Sequence, residues 1–343
     1  MASPSASPSA ASSTTHASAS ATQVKAVVFD RYGAPEVLRA IELPMPQAGP
    51  GEVRVRVRAA GVRPSDIALR SGLGGEENGR FDAPGDFPRR LGNEFAGVID
   101  QLGTGVDEFE IGDEVMGWAA AISYAEALTV SVEQVVRKPI TMSWAVAGAL
   151  PSTGQSAHAA LRQLRVREGE AVLIHGAASG IGSVAVQLAR VWGARVIGSA
   201  VAEDHDYLRS LGAQPVLDDA RGIEQARELM PLGMDAMFDA AGDEDFLAWL
   251  GLSADASRIV SLCGSLRTKH HGLQVPHSQR SRARLAELAQ MHERHGLLVH
   301  VREMFPLTRA ADAHRAVERG PARGKVVLMV YDTLPLPGLR LSA

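Results

Sequence analysis

The stretch His175-Gly176-Ala177-Ala178-Ser179-Gly180-Ile181-Gly182-Ser183-Val184-Ala185 follows the apolar run Ala171-Val172-Leu173-Ile174 and leads into a helix-like segment at residues 183–192. Its spacing, Gly180-x-Gly182-x-x-Ala185, fits a dinucleotide-binding turn. The glycines let the backbone approach a pyrophosphate, and the small third residue lets the helix pack on its strand. The free N–H groups and dipole of the helix start would hold the phosphate charge. A tight strand-to-helix turn could use the same glycines, but here the motif follows a clean strand and a second strand comes after the helix. Further short apolar runs at residues 195–199, 215–217, 234–239 and 258–262 alternate with helical stretches at 203–211, 221–230 and 245–250. Alternating β and α with fully apolar strands predicts an α/β fold with a doubly wound parallel sheet covered on both faces.

Outside this unit the texture differs. Residues 24–29, 52–58, 94–101, 113–118 and 132–137 read as strands separated by Gly and Pro, which describes a mostly β unit with short helices. In residues 52–58 valines alternate with Arg54, Arg56 and Arg58, so the arginines are expected on a wet face. After a helix near residues 281–294, the strand-like 300–305, the helix 310–318 and the apolar 325–331 look like a return to the β unit. The expected organisation is a tail at 1–22, a β domain from 23–143 and 282–334, and a dinucleotide-binding domain at 144–281. The tail is almost wholly Ala, Ser, Thr and Pro, lacks the arginines of a transit peptide and is expected to be disordered.

The chain has 343 residues, 45% hydrophobic and 22% charged, with 35 basic and 39 acidic side chains and a net charge of -4. This near balance, without long runs of one sign, gives no footprint for nucleic acid or anionic lipid. No window approaches the roughly 18 consecutive apolar residues of a membrane span. One cysteine, Cys263, rules out an intrachain disulfide and a Cys-rich zinc knuckle. A cytoplasmic location is expected.

The end of the second strand of the α/β unit bears on cofactor choice. NAD-specific sites place an acid about 20 residues after the first glycine, whereas here the chain reads Ile197-Gly198-Ser199-Ala200-Val201-Ala202. The missing carboxylate and the small Ser199 lean to NADPH. Arg195, His205 and Arg209 are the cations within reach.

Several motifs in order resemble one family. They are Ala59-Ala60-Gly61-Val62-Arg63-Pro64-Ser65-Asp66, Leu91-Gly92-Asn93-Glu94-Phe95-Ala96-Gly97, Gly112-Asp113-x-Val115, Tyr124-Ala125-Glu126, Ala149-Leu150-Pro151, the glycine turn, Asp239-Ala240-Ala241-Gly242 and Gly324-Lys325-Val326-Val327-Leu328. Residues 23–331 resemble the medium-chain dehydrogenase/reductase superfamily, in its zinc-independent quinone oxidoreductase-like branch. The resemblance implies a GroES-like β domain completed by the C-terminal segment, a Rossmann domain, an active site in the cleft between them, and compatibility with a homodimer. It also implies a hydride carrier held at Thr153, Ser156, Ala178, Ser179, Gly180, Ile181, Gly182, Ser183, Ser199, Ala240, Ala241, Gly242 and Cys263.

Two departures from the wider superfamily carry chemistry. Arg63 and Asn93 stand where zinc-dependent alcohol dehydrogenases carry a Cys and a His ligand. A guanidinium cannot ligate zinc and an amide is a poor ligand, so the Lewis acid that activates an alcohol is not expected. The reading moves to reduction of a small-molecule quinone or enone. Relatives within the branch usually have Asn at the Arg63 position. Arg63 has two readings: stabilisation of oxyanion charge or binding of an acidic substrate, or a salt bridge to Glu94 or Asp66.

The remaining candidates also carry double readings. Tyr124 is a proton or hydrogen-bond donor to substrate, or a buried Tyr that satisfies its own hydroxyl. Thr153 and Ser156 contact nicotinamide, or cap a helix. Cys263 is a nucleotide-facing residue, or a small buried hydrophobe. His292-Glu293-Arg294-His295 is one residue short of a zinc helix and reads as a surface helix, and Arg280, Arg282 and Arg284 read as a solvated helix start. The candidate catalytic residues are Arg63 and Tyr124, and those with Asn93 would bind substrate. The rival reading is a non-redox biosynthetic enzyme or a non-catalytic NADP(H)-binding module on the same scaffold.

Overall fold

The computed structural model describes residues 23–73, 87–243, 245–262, 271, 273–276, 280–320 and 322–331. The 1–22 stretch and Cys263 lie outside them.

Five short strands form a wholly parallel sheet in the spatial order Gln214–Val216, Arg195–Ser199, Ala171–His175, Ala236–Asp239, Ile259–Ser261. The first strand in sequence is central and every residue in it is buried, as its unbroken apolar run requires. Strand order proceeds outward in opposite senses on either side of it, which opens a crevice beyond the carboxyl ends of Ala171–His175 and Ala236–Asp239.

The helix after the glycine turn spans Gly180–Val191, three residues earlier than its apolar periodicity suggested. The reason is Ser179: its Oγ accepts the Gly182 N–H at 3.0 Å and caps the helix. Both motif glycines therefore sit in the first turn. A Cβ on Gly182 would lie 2.2 Å from the Gly176 carbonyl oxygen, so no side chain fits there.

The β unit contains a larger sheet ordered Val301–Pro306, Lys325–Met329, Glu52–Val62, Glu94–Leu102, Glu114–Trp118, Val135–Arg137, with Ala127–Ser131 also paired to Glu52–Val62. A smaller sheet joins Leu38–Pro44, Gln23–Phe29 and Arg89–Arg90. The C-terminal strand lies antiparallel to Glu52–Val62, and the helix Ala310–Glu318 buries Ala313 and Ala316 beside Val326 and Leu328.

The arginines of Glu52–Val62 are not on a wet face. Arg56 is buried, and Arg54 pairs with Asp100 at 2.7 Å and donates to the Pro46 carbonyl. The segment before the strand folds back over that face, which alternation within one strand could not reveal.

The two units meet at the glycine turn. Gly324 donates its N–H to the Ala178 carbonyl at 3.2 Å, and Ser179 and Gly324 form a parallel bridge. The strand Lys325–Met329 thus starts directly against the turn.

Candidate active site

Beneath the glycine turn lies a buried ion pair. Lys325 Nζ is 2.8 Å from Glu94 Oε1, and both side chains are withdrawn from solvent. A Cβ on Gly180 would stand 2.6 Å from Lys325 Cδ, so the lysine stem passes immediately under the turn. Glu94 also receives the Ser152 and Thr153 N–H groups, at 2.9 and 3.1 Å, and a longer contact from the Thr153 hydroxyl. It satisfies the open N-terminus of the helix Pro151–Gln163, where the chain supplies no side-chain cap of its own. Burial pushes the Lys325 ammonium pKa down, while Glu94 opposes that.

Thr153 and Ser156 are therefore in the first turns of that helix. Thr153 is buried against Glu94, and the Ser156 hydroxyl donates to the Ser152 carbonyl at 3.0 Å. Neither hydroxyl caps the helix.

Next to this pair stands a second polar group. Asp66 is fully buried and accepts three hydrogen bonds: from the Arg63 N–H at 2.9 Å, the Asn93 Nδ2 at 2.7 Å and the Tyr124 hydroxyl at 3.3 Å. Burial raises the Asp66 pKa, against the lowering effects of Arg63, Asn93 and Lys325. Burial and the Asp66 carboxylate hold the Tyr124 phenol far above its ordinary range. Tyr124 is thus neutral, and its hydroxyl is already engaged.

The Arg63 side chain is half-buried, and its charge acts on Asp66, Tyr124 and Lys325. The salt bridge considered for it is absent. Glu94 is taken by Lys325, and Asp66 meets only the Arg63 backbone, so among the described residues no carboxylate pairs with the Arg63 guanidinium. Arg280, read as part of a solvated helix start, instead reaches to 3.4 Å from the Asn93 and Ala119 carbonyls, and Ser281 beside it donates its N–H to Gln155 just before the helix Arg282–His295.

On the nucleotide side, Asp239 at the end of its strand accepts the Ala241 and Gly242 N–H groups, at 3.0 and 2.8 Å, and the Ser261 hydroxyl. This fixes the loop Ala240, Ala241, Gly242 at the crevice. Ile181 is half-buried and Ser183 fully buried in the turn's helix. Ser199 is not aimed at a ligand: it is fully buried, 2.8 Å from His175 Nδ1, and accepts the Gly176 N–H. Its strand ends under the turn rather than at the surface. The cations expected nearby are also committed, Arg209 to Asp206 and Arg195 to the Gly169 carbonyl. Arg323, which the reading of this region passed over, stands 3.6 Å from Asp204 and over the Tyr207 ring at 5.2 Å. It is brought there from the C-terminal segment, and only the triplet Arg323-Gly324-Lys325 marks it in sequence.

Among the described residues no group of three or more His, Cys, Asp or Glu is arranged to hold a metal. The donor chemistry agrees with that: Arg63 offers no lone pair, and the Asn93 amide is committed to Asp66.

This geometry can be set beside known proteins. Residues 49–139 match the family model of the alcohol dehydrogenase GroES-like domain, and residues 211–328 match that of the zinc-binding dehydrogenases. The human mitochondrial NAD(P)H oxidoreductase RTN4IP1 is 31% identical, with 90% of each chain covered. A quinone oxidoreductase of Pseudomonas aeruginosa is 30% identical over 89% of this chain and 99% of its own. The Escherichia coli quinone oxidoreductase, solved in complex with NADPH, superposes with a TM-score of 0.77 at 26% identity, covering 89% of this chain and 99% of that one. The chain belongs to the quinone oxidoreductase-like branch of the medium-chain dehydrogenase/reductase superfamily. As a member of that branch it is an NAD(P)H-dependent oxidoreductase with a GroES-like domain and a parallel Rossmann-type sheet. Among the described residues no helix is long and apolar enough to cross a membrane.

Proposed function

We propose that this oxidoreductase is a zinc-independent, NADPH-preferring reductase of quinones or α,β-unsaturated carbonyls. The observation that carries the reading is the half-buried Arg63 side chain, paired with no carboxylate among the described residues, whose charge acts on Asp66, the partner of Asn93, and on Lys325 under the glycine turn.

The turn suits a dinucleotide: a Cβ at Gly182 would fill the space against Gly176. In this reading Ala178, Ser179 and residues 180–183 hold the pyrophosphate, Thr153, Ser156 and the loop Ala240, Ala241, Gly242 flank the nicotinamide, and Ser199 supports the turn from beneath. When bound, the nicotinamide supplies a hydride to an electrophilic carbon. Arg63 and Asn93 donate to the acceptor oxygen and stabilise the negative charge that builds there. Neutral, engaged Tyr124 acts behind them, and water protonates the product. Catalysis then rests on positioning and electrostatics.

NADPH preference is supported by the absence of an acid at the end of Arg195–Ser199 and by Arg323, which holds the first carboxylate with a well-covered side chain after it, Asp204. Zinc independence is supported by Arg63 and Asn93. The test is oxidation of NADPH and of NADH by the purified protein against a panel of quinones and enones, with elemental analysis of the same sample. Consumption of NADPH with an acceptor, in metal-free protein, is the expected result. Nucleotide binding with no turnover on any acceptor would leave the binding-module reading instead.

A further inference from the structure

Behind Asn93 runs a line of buried polar groups that hydride transfer does not use. Asn93 donates to Asp66 Oδ1, the Tyr124 hydroxyl donates to Asp66 Oδ2, and Tyr124 Oη lies 3.4 Å from His314 Nε2. His314 comes from the helix Ala310–Glu318 and is fully buried. Beside it is Arg70, from the helix Pro64–Ser71, 2% exposed and ion-paired with Glu318.

Three atoms here have no partner among the described residues: Arg70 Nε, Arg70 Nη1 and His314 Nδ1. Their chemistry is complementary, since the arginine atoms can only donate and a ring nitrogen without hydrogen can only accept. Buried polar atoms of this kind are satisfied by an ordered water. Burial, and then the Arg70 charge, hold His314 neutral, and a cation beside a ring nitrogen disfavours an N–H there.

We propose that Arg70 fixes the His314 tautomer with hydrogen on Nε2, and that His314 and Tyr124 thereby set the direction of a hydrogen-bond line ending on the Asn93 amide. His314 Nε2–H donates to Tyr124, Tyr124 donates to Asp66, and Asp66 accepts one hydrogen of Asn93 Nδ2. The second Asn93 N–H is then the one left for an acceptor oxygen, alongside Arg63. An amide is otherwise free to flip and present its carbonyl, which would repel that oxygen. Tyr124, His314 and Arg70 are positioning residues in this scheme. They act on substrate only through Asn93, so the inference rests on the reductase reading given above.

The test combines a spectroscopic and a kinetic arm. In wild-type protein, 15N NMR of the histidines should show His314 neutral with hydrogen on Nε2; hydrogen on Nδ1 would overturn the proposal, whether or not any acceptor is found. Tyr124→Phe keeps the ring and removes one neutral hydrogen bond. It should lower kcat/KM by about three- to tenfold while NADPH affinity holds. In an Asn93→Ala background the same substitution should change kcat/KM by less than about twofold. An equal loss in both backgrounds would overturn the proposal, because Tyr124 would then act through packing alone. His314→Gln retains an N–H donor and should recover most of the activity that His314→Leu loses; equal loss in both variants counts against it. If wild-type protein reduces no acceptor, the reductase reading fails while the tautomer still decides the line.

Discussion

The two walls of the cleft solve the same problem, polar groups beside a buried site, with different materials. On the nucleotide side the buried polar groups among the described residues include the hydroxyls of Ser183, Ser199 and Ser261, with the carboxylate of Asp239 spent on two N–H groups and a hydroxyl. On the β side the wall is ionisable, with Glu94 against Lys325, Asp66 under Arg63, and His314 beside Arg70. The difference teaches where each kind of change should be felt. Fixed dipoles hold a phosphate without cost as pH or partner varies, whereas buried charges are costly once a partner is removed.

The sharpest way to break this contrast is Glu94→Gln. It leaves the Lys325 ammonium buried without its counter-ion and weakens the cap of Pro151–Gln163 by replacing a carboxylate with a neutral amide, so stability should fall by about 3–5 kcal/mol, read from urea unfolding. Adding Lys325→Met should recover much of that loss. If Glu94→Gln is as stable as wild type, the β wall is not held by its charges.

Arg63→Asn separates chemistry from structure on the same wall. With no carboxylate paired to the guanidinium, the melting temperature should hold. Turnover should drop by about ten- to a hundredfold, the worth of a charge-assisted hydrogen bond made in the transition state, roughly 1.5–3 kcal/mol. Unchanged turnover would remove Arg63 from the acceptor site.

His314 gives the wall a pH signature. Burial and then the Arg70 charge push its pKa down to about 3. Its folded pKa is below the unfolded value, so the unfolded chain binds the extra proton. Stability is therefore full above about pH 6.5 and falls as pH drops toward 3, by up to ~1.4 kcal/mol per unit. Among the described residues, Arg70 and neutral Tyr124 are the polar groups that act on the ring, and the raised pKa of Asp66 behind it works in the opposite sense. In His314→Gln this portion of the acid sensitivity should vanish; an unchanged pH profile of unfolding would contradict it.

The smallest effect is expected on the nucleotide side. Arg323→Gln frees Asp204, and the ratio of NADH to NADPH dissociation constants should fall by about two- to fivefold, the scale of a partly exposed charge pair. Tryptophan fluorescence titration measures it. A ratio that stays constant would mean that Arg323 secures the domain junction and nothing more.

Reading the sequence found the glycine turn because strand, turn and helix are contiguous and Gly182 is required by Gly176 and Ala177 just before it; that Gly180 must make room for Lys325 was not legible. The apolar run Ala171–His175 likewise implied burial on both faces, and the sheet has it. The alternation in Glu52–Val62 misled for the opposite reason, since what covers Arg54 is a carboxylate 46 positions away. Ser199 was placed by spacing at a strand end facing the cofactor, yet its hydroxyl turned inward to His175.

By itself the sequence determined the parallel sheet and the glycine turn, because these follow from residue type and near spacing, while it took the family resemblance to mark Arg63 and Asn93 as standing where relatives carry zinc ligands. Only tertiary structure decided that Glu94 belongs to Lys325 rather than to Arg63, and that Asp66, Tyr124 and His314 stand in line. Those partners are separated by up to 231 positions, as with Glu94 and Lys325. In the low-dielectric interior a charge takes whichever partner the fold brings within about 3–4 Å, and separation along the chain has no part in that choice.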